Sequence, residues 1–187
     1  YTGKTKGNHW DFTRFNPKHF QHIENCIHRL GELGIEADLI MMHPYDRWGF
    51  SQMTKEQDDL YWNYAIARFS AFANVWWSLA NEYDLMPHKA IQDWERYASI
   101  LCEKDPYHHM RSIHNCVSLY DFSRPWITHC SVQRTDLYKS SEITNELRER
   151  YHKPVVLDEI AYEGDIQHGW GNLTGEEMLR RFWEAAC

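Results

Sequence analysis

The sequence predicts an α/β domain in which parallel strands alternate with helices, and we expect a (β/α)8 TIM barrel. Helical and strand patterns alternate along all 187 residues, without a repeat, a low-complexity tract or a linker-like stretch. Two short apolar runs, 74–82 and 154–159, each end in a glutamate. A strand buried on both faces has no packing reason to end in a carboxylate, whereas the strand ends of a barrel carry its chemistry.

The first helix is predicted to begin at Asn16-Pro17, because Asn is a common cap and proline suits the first turn. Apolar residues then recur at helical spacing until Gly34, which is expected to end the helix. The apolar residues that follow predict a strand over 35–42.

Thr54 and Gln57 form a capping box, which predicts the start of the second helix. The strand that ends at Glu82 follows this helix. The helical spacing predicts a buried face that includes Leu60, Tyr64, Ala67 and Ala71.

A third helix is predicted from Pro87 to Asp105, because the residue before Pro106 is pushed out of helical geometry. Short strands are expected over 111–114 and 126–130. The inward face of the third helix is predicted to carry Ile91, Trp94, Tyr97 and Leu101.

The last third of the chain predicts a helix over 140–151, a strand over 155–159 and a final helix. The final helix is opened by a second capping box, formed by Thr174 and Glu177. The pattern therefore contains five strands and five or six helices, which is roughly units two to seven of a barrel.

The length agrees with an incomplete barrel, since 187 residues fall short of the roughly 250 of a complete one. The sequence begins at Tyr1 rather than Met, and the last helical pattern continues to Cys187. We therefore expect residues 1–187 to form a single barrel domain that is incomplete at both ends.

Charge and hydropathy restrict the partners. A net charge of -7 argues against nucleic acid and against an anionic membrane as the partner. No apolar run is long enough to span a bilayer, so we expect a soluble chain, either cytoplasmic or secreted. The five cysteines have no metal-site spacing and are expected to be free thiols, with a Cys116–Cys130 bridge as the alternative for a secreted protein.

Two carboxylates that face each other across a barrel mouth are what glycoside hydrolysis needs. Asn81-Glu82 at one strand end and Glu159 at a later strand end resemble the retaining glycosidases of clan A. With the segment 43–49, they also resemble the apiosidase-like, cellulase-like catalytic domains within this clan, which are often fused to a β-sandwich domain.

The resemblance implies a role for each of these residues. Glu82 would be the acid/base on strand four, and Glu159 would be the nucleophile on strand seven. Asn81 would donate a hydrogen bond to the sugar 2-hydroxyl. The substrate would be an oligo- or polysaccharide with β-linkages or their α-L equivalent, and no metal or organic cofactor is expected.

The remaining candidates lie after the predicted strands. Histidines at strand ends can bind sugar hydroxyls or orient the nucleophile. Asp158, by strand alternation, is expected to point away from the barrel axis toward the helices. The full set of predicted substrate-binding residues is Asn81, His43, Asp46, Arg47, Trp48, His114, His129, Tyr162 and Trp170.

Two other functions fit the same residues. The strand-end histidines and glutamates are also metal-ligand types, so a metal-dependent barrel hydrolase or isomerase is one alternative, although no HxH or HExxH cluster is present. The second alternative is a carbohydrate-binding barrel without turnover. The presence of both glutamates favours the enzyme.

Overall fold

The computed structural model describes residues 10–45, 48–133, 140–167 and 171–186. These ranges contain five α-helices and five β-strands, together with short 3-10 turns at Phe50–Gln52 and Tyr83–Leu85. The elements in chain order are α1 (Pro17–Glu32), β1 (Ala37–Ile40), α2 (Lys55–Phe69), β2 (Val75–Ser78), α3 (Ile91–Lys104), β3 (Arg111–Ser112), β4 (Cys130–Gln133), α4 (Ser140–Tyr151), β5 (Val155–Glu159) and α5 (Gly175–Ala186).

The strands run parallel and follow the order of the chain. β1, β2 and β3 are hydrogen-bonded neighbours, and β4 pairs with β5. Between β3 and β4, the amide of Thr128 donates to the carbonyl of Arg111 at 3.0 Å. One residue further along, the hydroxyl of Ser112 donates to the carbonyl of His129 at 2.6 Å. Because these contacts advance in the same direction, the carboxyl ends of all five strands lie at one edge.

The first helix is capped as predicted. The side chain of Asn16 accepts a hydrogen bond from the amide of Lys18 at 3.2 Å. Gly34 follows the helix with a φ of 71°, and the amide of Ile35 donates to the carbonyl of Leu30 at 2.9 Å. This left-handed ending suits glycine. The next strand, β1, is shorter than the predicted segment.

The capping box of α2 is confirmed, but of its predicted buried face only Tyr64 packs against the core. Leu60 is 42% exposed, and Ala67 and Ala71 are also exposed. The helix carries apolar residues on most of its faces, so spacing alone does not select the one that packs on the sheet. The buried side chains of α2 are Asp58, Trp62, Ala65, Ile66 and Phe69.

The third helix begins later than predicted, at Ile91 rather than Pro87. The carboxylate of Asp93 accepts a hydrogen bond from the amide of Ala90 at 2.9 Å, which caps this end. Ile91 is therefore in the first turn and is 45% exposed instead of buried. The rest of the predicted inward face is confirmed, because Trp94, Tyr97 and Leu101 are buried.

The fourth strand lies further along the chain than the predicted segment 126–130. Trp126 and Ile127 are buried, but they precede the strand and fill the core from the connecting segment. The prediction mistook this core packing for a strand. By contrast, α4 and β5 lie where predicted, and the hydroxyl of Thr174 accepts a hydrogen bond from the amide of Glu177 at 3.2 Å before α5.

Two global features follow from the described ranges. No helix in them combines the length and apolar character needed to cross a membrane. The four cysteines that they contain, Cys26, Cys102, Cys116 and Cys130, are free thiols. Cys187 lies outside the described residues.

A buried ion pair fastens the segment before α3 to α2. The ammonium of Lys89 donates to Asp58 Oδ2 at 2.6 Å and to the carbonyl of Met53 at 3.0 Å. Both charged side chains are at most 3% exposed. Burial raises the pKa of Asp58, while hydrogen bonds from Lys89 and Tyr97 oppose this rise. The pair thus anchors the chain that leaves Glu82.

Replacing Lys89 with Met should lower the free energy of unfolding by about 3 kcal/mol, because the Asp58 carboxylate stays buried without its main partner. This is the low end for buried pairs, since Arg96 remains 3.6 Å from the same carboxylate. Denaturant unfolding followed by tryptophan fluorescence measures the change. The control is Lys104→Met, which removes an exposed pair and should cost about 0–1 kcal/mol. Equal losses in the two variants would contradict the prediction.

Candidate active site

Glu82 lies just beyond β2 in a strained but anchored backbone. The amide of the preceding Asn81 donates to the carbonyl of Met42 at 2.9 Å. The amide of the following Tyr83 donates to the carbonyl of His114 at 3.0 Å. Between them Glu82 has φ 48° and ψ 55°, a left-handed conformation that is uncommon for a residue with a side chain. Its side chain is almost fully buried, with the residue 5% exposed.

The Glu82 carboxylate is surrounded by uncharged hydrogen-bonding groups. The hydroxyl of Tyr45 donates to Oε2, and Asn81 Nδ2 lies 3.3 Å from the same oxygen. The thiol of Cys116 also hydrogen-bonds to Glu82. The bond to Glu82 raises the pKa of Tyr45. Burial, followed by the bond to Glu82, raises the pKa of Cys116 to about 11.

The remaining oxygen of Glu82 faces Gln133, the last residue of β4. With its side-chain nitrogen toward Glu82, Gln133 donates to Oε1 at 3.1 Å. The same nitrogen then lies 3.1 Å from the carbonyl of Asn115 and 3.2 Å from His114 Nε2. Sequence reasoning missed Gln133, because the predicted fourth strand ended three residues earlier. The rule that strand ends carry chemistry would have found it, given the correct strand.

Glu159 ends β5 as predicted, and its side chain is 22% exposed. The hydroxyl of Tyr162 hydrogen-bonds to it. Burial and this bond raise the pKa of Tyr162 to about 12. The Oε1 atom of Glu159 lies 3.7 Å from His114 Nε2. Tyr162 and His114, two of the predicted site residues, therefore both contact this glutamate.

His114 is the central polar residue of the site. It is 3% exposed, and its Nδ1 lies 3.3 Å from Asp158 Oδ2 and 3.3 Å from the hydroxyl oxygen of Ser131. Burial opposes protonation of the ring, but the hydrogen bond and charge of Asp158 and the charge of Glu159 outweigh it. The pKa of His114 is therefore raised.

The predicted direction of Asp158 is wrong. Its carboxylate accepts a hydrogen bond from Ser131 and approaches His114, which is the residue that Glu159 also approaches. The cause is a break in the β4–β5 register: Val132 pairs with Leu157, but the next residue, Gln133, pairs with Glu159. Asp158 is thus the extra residue of a bulge, and simple alternation no longer applies.

Asp38 on β1 interacts electrostatically with Asp158 and His114. The surrounding protein, followed by the negative charge of Asp158, raises the pKa of Asp38 to about 7, while His114 opposes this rise. Asp38 belongs to the first described strand and Asp158 to the fifth.

His129 does not lie at a strand end, contrary to the prediction. It precedes β4 and is buried, with its ring stacked on Trp76 at a centroid separation of 5.0 Å. Its Nδ1 lies 3.0 Å from the hydroxyl of Thr128, and burial lowers its pKa. His129 therefore packs at the amino-terminal end of β4, where the charge of Asp158 partly opposes the effect of burial on its pKa.

The other predicted residues are less informative. His43 is half-buried after β1, and within the described ranges no hydrogen bond joins it to either glutamate. Trp48 is 40% exposed and packs edge-to-face on Trp10 at 6.3 Å. Three predictions, Asp46, Arg47 and Trp170, lie outside the described residues.

The metal-ligand alternative has no geometric support in the described part of the chain. There, no three side chains of His, Cys, Asp or Glu converge in a group that could hold a metal ion. His114 instead hydrogen-bonds to Asp158 and Gln133, and the two glutamates hydrogen-bond to uncharged groups.

Solved structures share this fold. A protein described as a candidate glycoside hydrolase from Bacteroides vulgatus ATCC 8482 has a TM-score of 0.89 and 43% identity, covering 94% of this chain and 35% of that one. A glycoside hydrolase family 5 structure from the same organism has a TM-score of 0.70 and 18% identity, covering 97% of this chain and 44% of that one. The fold and the strand-end glutamates thus define a glycoside hydrolase-like α/β domain.

The family is also clear. The model of the Apiosidase-like catalytic domain matches residues 1–186, and the chain belongs to this family. The resemblance that the sequence suggested is therefore confirmed. The chain spans less than half the length of either solved relative. No curated protein matches it.

Replacing Asp158 with Asn should lower the pKa of His114, because the ring loses its nearest negative charge and a charge-assisted hydrogen bond. An NMR titration of the histidine ring resonances measures the shift, and the resonance missing in His114→Gln gives the assignment. Asp121→Asn, which removes an exposed carboxylate elsewhere, is the control. An unchanged His114 titration in Asp158→Asn would show that the contact does not exist in solution.

Proposed function

We propose that this chain is the catalytic part of a retaining glycoside hydrolase built on a (β/α)8 barrel. The five parallel strands in chain order support five consecutive barrel strands, with β2 as the fourth and β5 as the seventh. In this architecture Glu82 and Glu159 face each other across the mouth.

The observation that carries the proposal is the contrast between the surroundings of the two glutamates. They lie at the same sheet edge, and two adjoining side chains, Gln133 and His114, connect them. Glu82 is enclosed by neutral groups, whereas Glu159 lies beside a histidine that favours the protonated state. Glycosidases use two carboxyl groups in different roles, and this contrast in surroundings supports assigning a different role to each glutamate.

Glu159 is the proposed nucleophile. A positively charged His114 at 3.7 Å stabilises its ionised form, and the hydroxyl of Tyr162 donates to it. The Glu159 carboxylate attacks the anomeric carbon as the bond to the leaving oxygen breaks. This forms a covalent glycosyl-enzyme.

Glu82 is the proposed acid/base. It gives its proton to the leaving oxygen in the first step, and it takes a proton from the attacking water in the second. The neighbouring hydroxyl, thiol and amides of Tyr45, Cys116, Asn81 and Gln133 are compatible with both states. Each of these groups donates to the ionised carboxylate, and each has an atom that can accept when Glu82 is protonated.

The proposed substrate is a carbohydrate with an equatorial β-linkage or the α-L equivalent, as the clan A resemblance implies. Because the family is described as Apiosidase-like, an apioside is the first substrate to test. Asn81 would bind the sugar 2-hydroxyl, and its amide already lies at the edge of the Glu82 carboxylate. The further proposed substrate contacts are His43, Asp46, Arg47, Trp48, His114, Tyr162 and Trp170.

Replacing Glu82 with Ala should lower kcat/KM on substrates with poor leaving groups by about 10²–10⁴-fold, because the leaving oxygen is no longer protonated. Activity on a dinitrophenyl glycoside should fall much less, since that leaving group departs without a proton. Replacing Glu159 with Ala should abolish activity on both kinds of substrate. Steady-state kinetics on a panel of aryl glycosides, an aryl apioside included, measures these differences.

Azide rescue separates the two roles. Azide should restore activity to Glu82→Ala and give a glycosyl azide with the configuration of the substrate. It should restore Glu159→Ala with the opposite configuration, because only one displacement then occurs. Glu103→Gln, at an exposed position near the end of α3, is the control and should match the native protein. Full activity of Glu159→Ala without azide would reject the mechanism.

The native protein should release its sugar with retained anomeric configuration, since two displacements restore the original stereochemistry. A time course of the anomeric proton signals by NMR, recorded before mutarotation, measures this directly. An initial product of inverted configuration would instead indicate a single displacement by a water molecule held between the carboxyl groups.

A further inference from the structure

We propose that Gln133 is a positioning residue that couples the protonation of Glu82 to that of His114 by turning its side-chain amide. The proposal rests on the proposed function only for the catalytic role of Glu82. Its geometric basis is one terminal atom of the amide, which lies 3.1 Å from Glu82 Oε1, 3.1 Å from the carbonyl of Asn115 and 3.2 Å from His114 Nε2. The amide can present either its nitrogen or its oxygen at this position.

The first orientation presents nitrogen. The amide N–H groups then face three acceptors: the ionised Glu82 carboxylate, the carbonyl of Asn115 and an unprotonated Nε2 of His114. Because Asp158 Oδ2 lies 3.3 Å from Nδ1, neutral His114 keeps its single proton on Nδ1 and leaves Nε2 as an acceptor. This orientation therefore fits ionised Glu82 with neutral His114.

The second orientation presents oxygen. Protonated His114 donates to it from Nε2 at 3.2 Å, and protonated Glu82 donates to it from its carboxyl group. The carbonyl of Asn115, however, faces this oxygen at 3.1 Å, and the amide nitrogen at the other end then faces only donors, so both ends of the amide oppose the arrangement. With a proton on only one of Glu82 and His114, two acceptors would still face the Gln133 oxygen. The second orientation therefore requires protons on both residues. The requirement makes the two protonation events cooperative.

Other titratable groups around Glu82 and His114 also influence the protonation of these two residues. His114 faces the charged groups Asp158 and Glu159 from β5 and Asp38 from β1. These carboxylates favour protonated His114, and through Gln133 they favour protonated Glu82. Glu82 additionally faces Tyr45 and Cys116, whose pKa values are raised, so neither loses its proton near neutral pH.

The coupling suits the two steps of the reaction. In the free enzyme, ionised Glu159 supports protonated His114, and the oxygen orientation of Gln133 supports protonated Glu82. When Glu159 becomes an ester, His114 loses that support, just as Glu82 has given up its proton. The nitrogen orientation then stabilises ionised Glu82, the base of the second step.

The test is a double-mutant cycle in which the pKa of His114 is the readout. Ring resonances of labelled histidine are titrated by NMR in the native protein, Glu82→Gln, Gln133→Met and the double variant. Loss of the Glu82 charge acts on His114 in both backgrounds alike and cancels in the cycle. The amide introduced at Glu82 can donate to the Gln133 oxygen, so it should favour protonated His114 only where Gln133 is present.

Glu82→Gln changes the pKa of His114 by one amount when residue 133 is Gln and by another when it is Met. We expect the change to be more positive with Gln133 by about 0.5–1 pH unit, which is equivalent to one hydrogen bond. An equal effect in both backgrounds would overturn the proposal. If Gln133→Met does not fold, the cycle is run with Gln133→Leu. The titration needs no substrate, so absence of hydrolysis would reject the proposed function and leave this result standing.

Discussion

A buried histidine between two consecutive carboxylates is the interaction on which this site depends. His114 comes from the segment after β3, and Asp158 and Glu159 reach it from the end of β5. Two neighbouring residues of a regular strand would point to opposite faces. The bulge opposite Gln133 removes that restriction and brings both carboxylates to one imidazole. Burial of a charged ring is costly without such partners, so the bulge and the ion pair support each other.

The same interaction connects strands that share no direct pairing. β3 and β5 are separated by β4, yet His114 joins their ends, with Ser131 and Gln133 of β4 in between. The hydrogen bond from Ser131 to Asp158 adds a link on the same face. Polar contacts therefore bind together the edge of the sheet at which the glutamates lie. A network of this kind fixes its members more closely than separate pairs would.

Sequence reasoning succeeded where the signal was local and failed where it depended on packing. The starts of α1 and α2 follow from caps a few residues long, at Asn16 and Thr54, and both predictions are confirmed. The buried face of α2 and the start of β4 depend on which apolar residues meet the rest of the core. Trp62 and Trp126 are both apolar and buried, but one lies on a helix and the other in a connecting segment.

The candidate site shows the same difference between features that are local in the sequence and features that depend on packing. Glu82 and Glu159 were predicted because each ends an apolar run, and His114 was predicted because it ends a short predicted strand. These are features of the chain itself. The direction of Asp158 could not be predicted, since a bulge arises from the register between two strands. Gln133 was missed for a related reason: its importance appears only when the correct end of β4 is known.

The backbone at Glu82 explains how a strand end delivers a carboxylate into a ring of neutral groups. A left-handed conformation at a non-glycine residue costs about 1–2 kcal/mol, so other contacts must hold it in place. Hydrogen bonds from the amides on either side of Glu82 do so, and Asp84 adds a third anchor by accepting from three successive amides, those of residues 116–118. That loop carries the Cys116 thiol to Glu82. Between the start of β2 and the end of α3, the left-handed conformation is therefore confined to the one residue whose side chain must leave the strand.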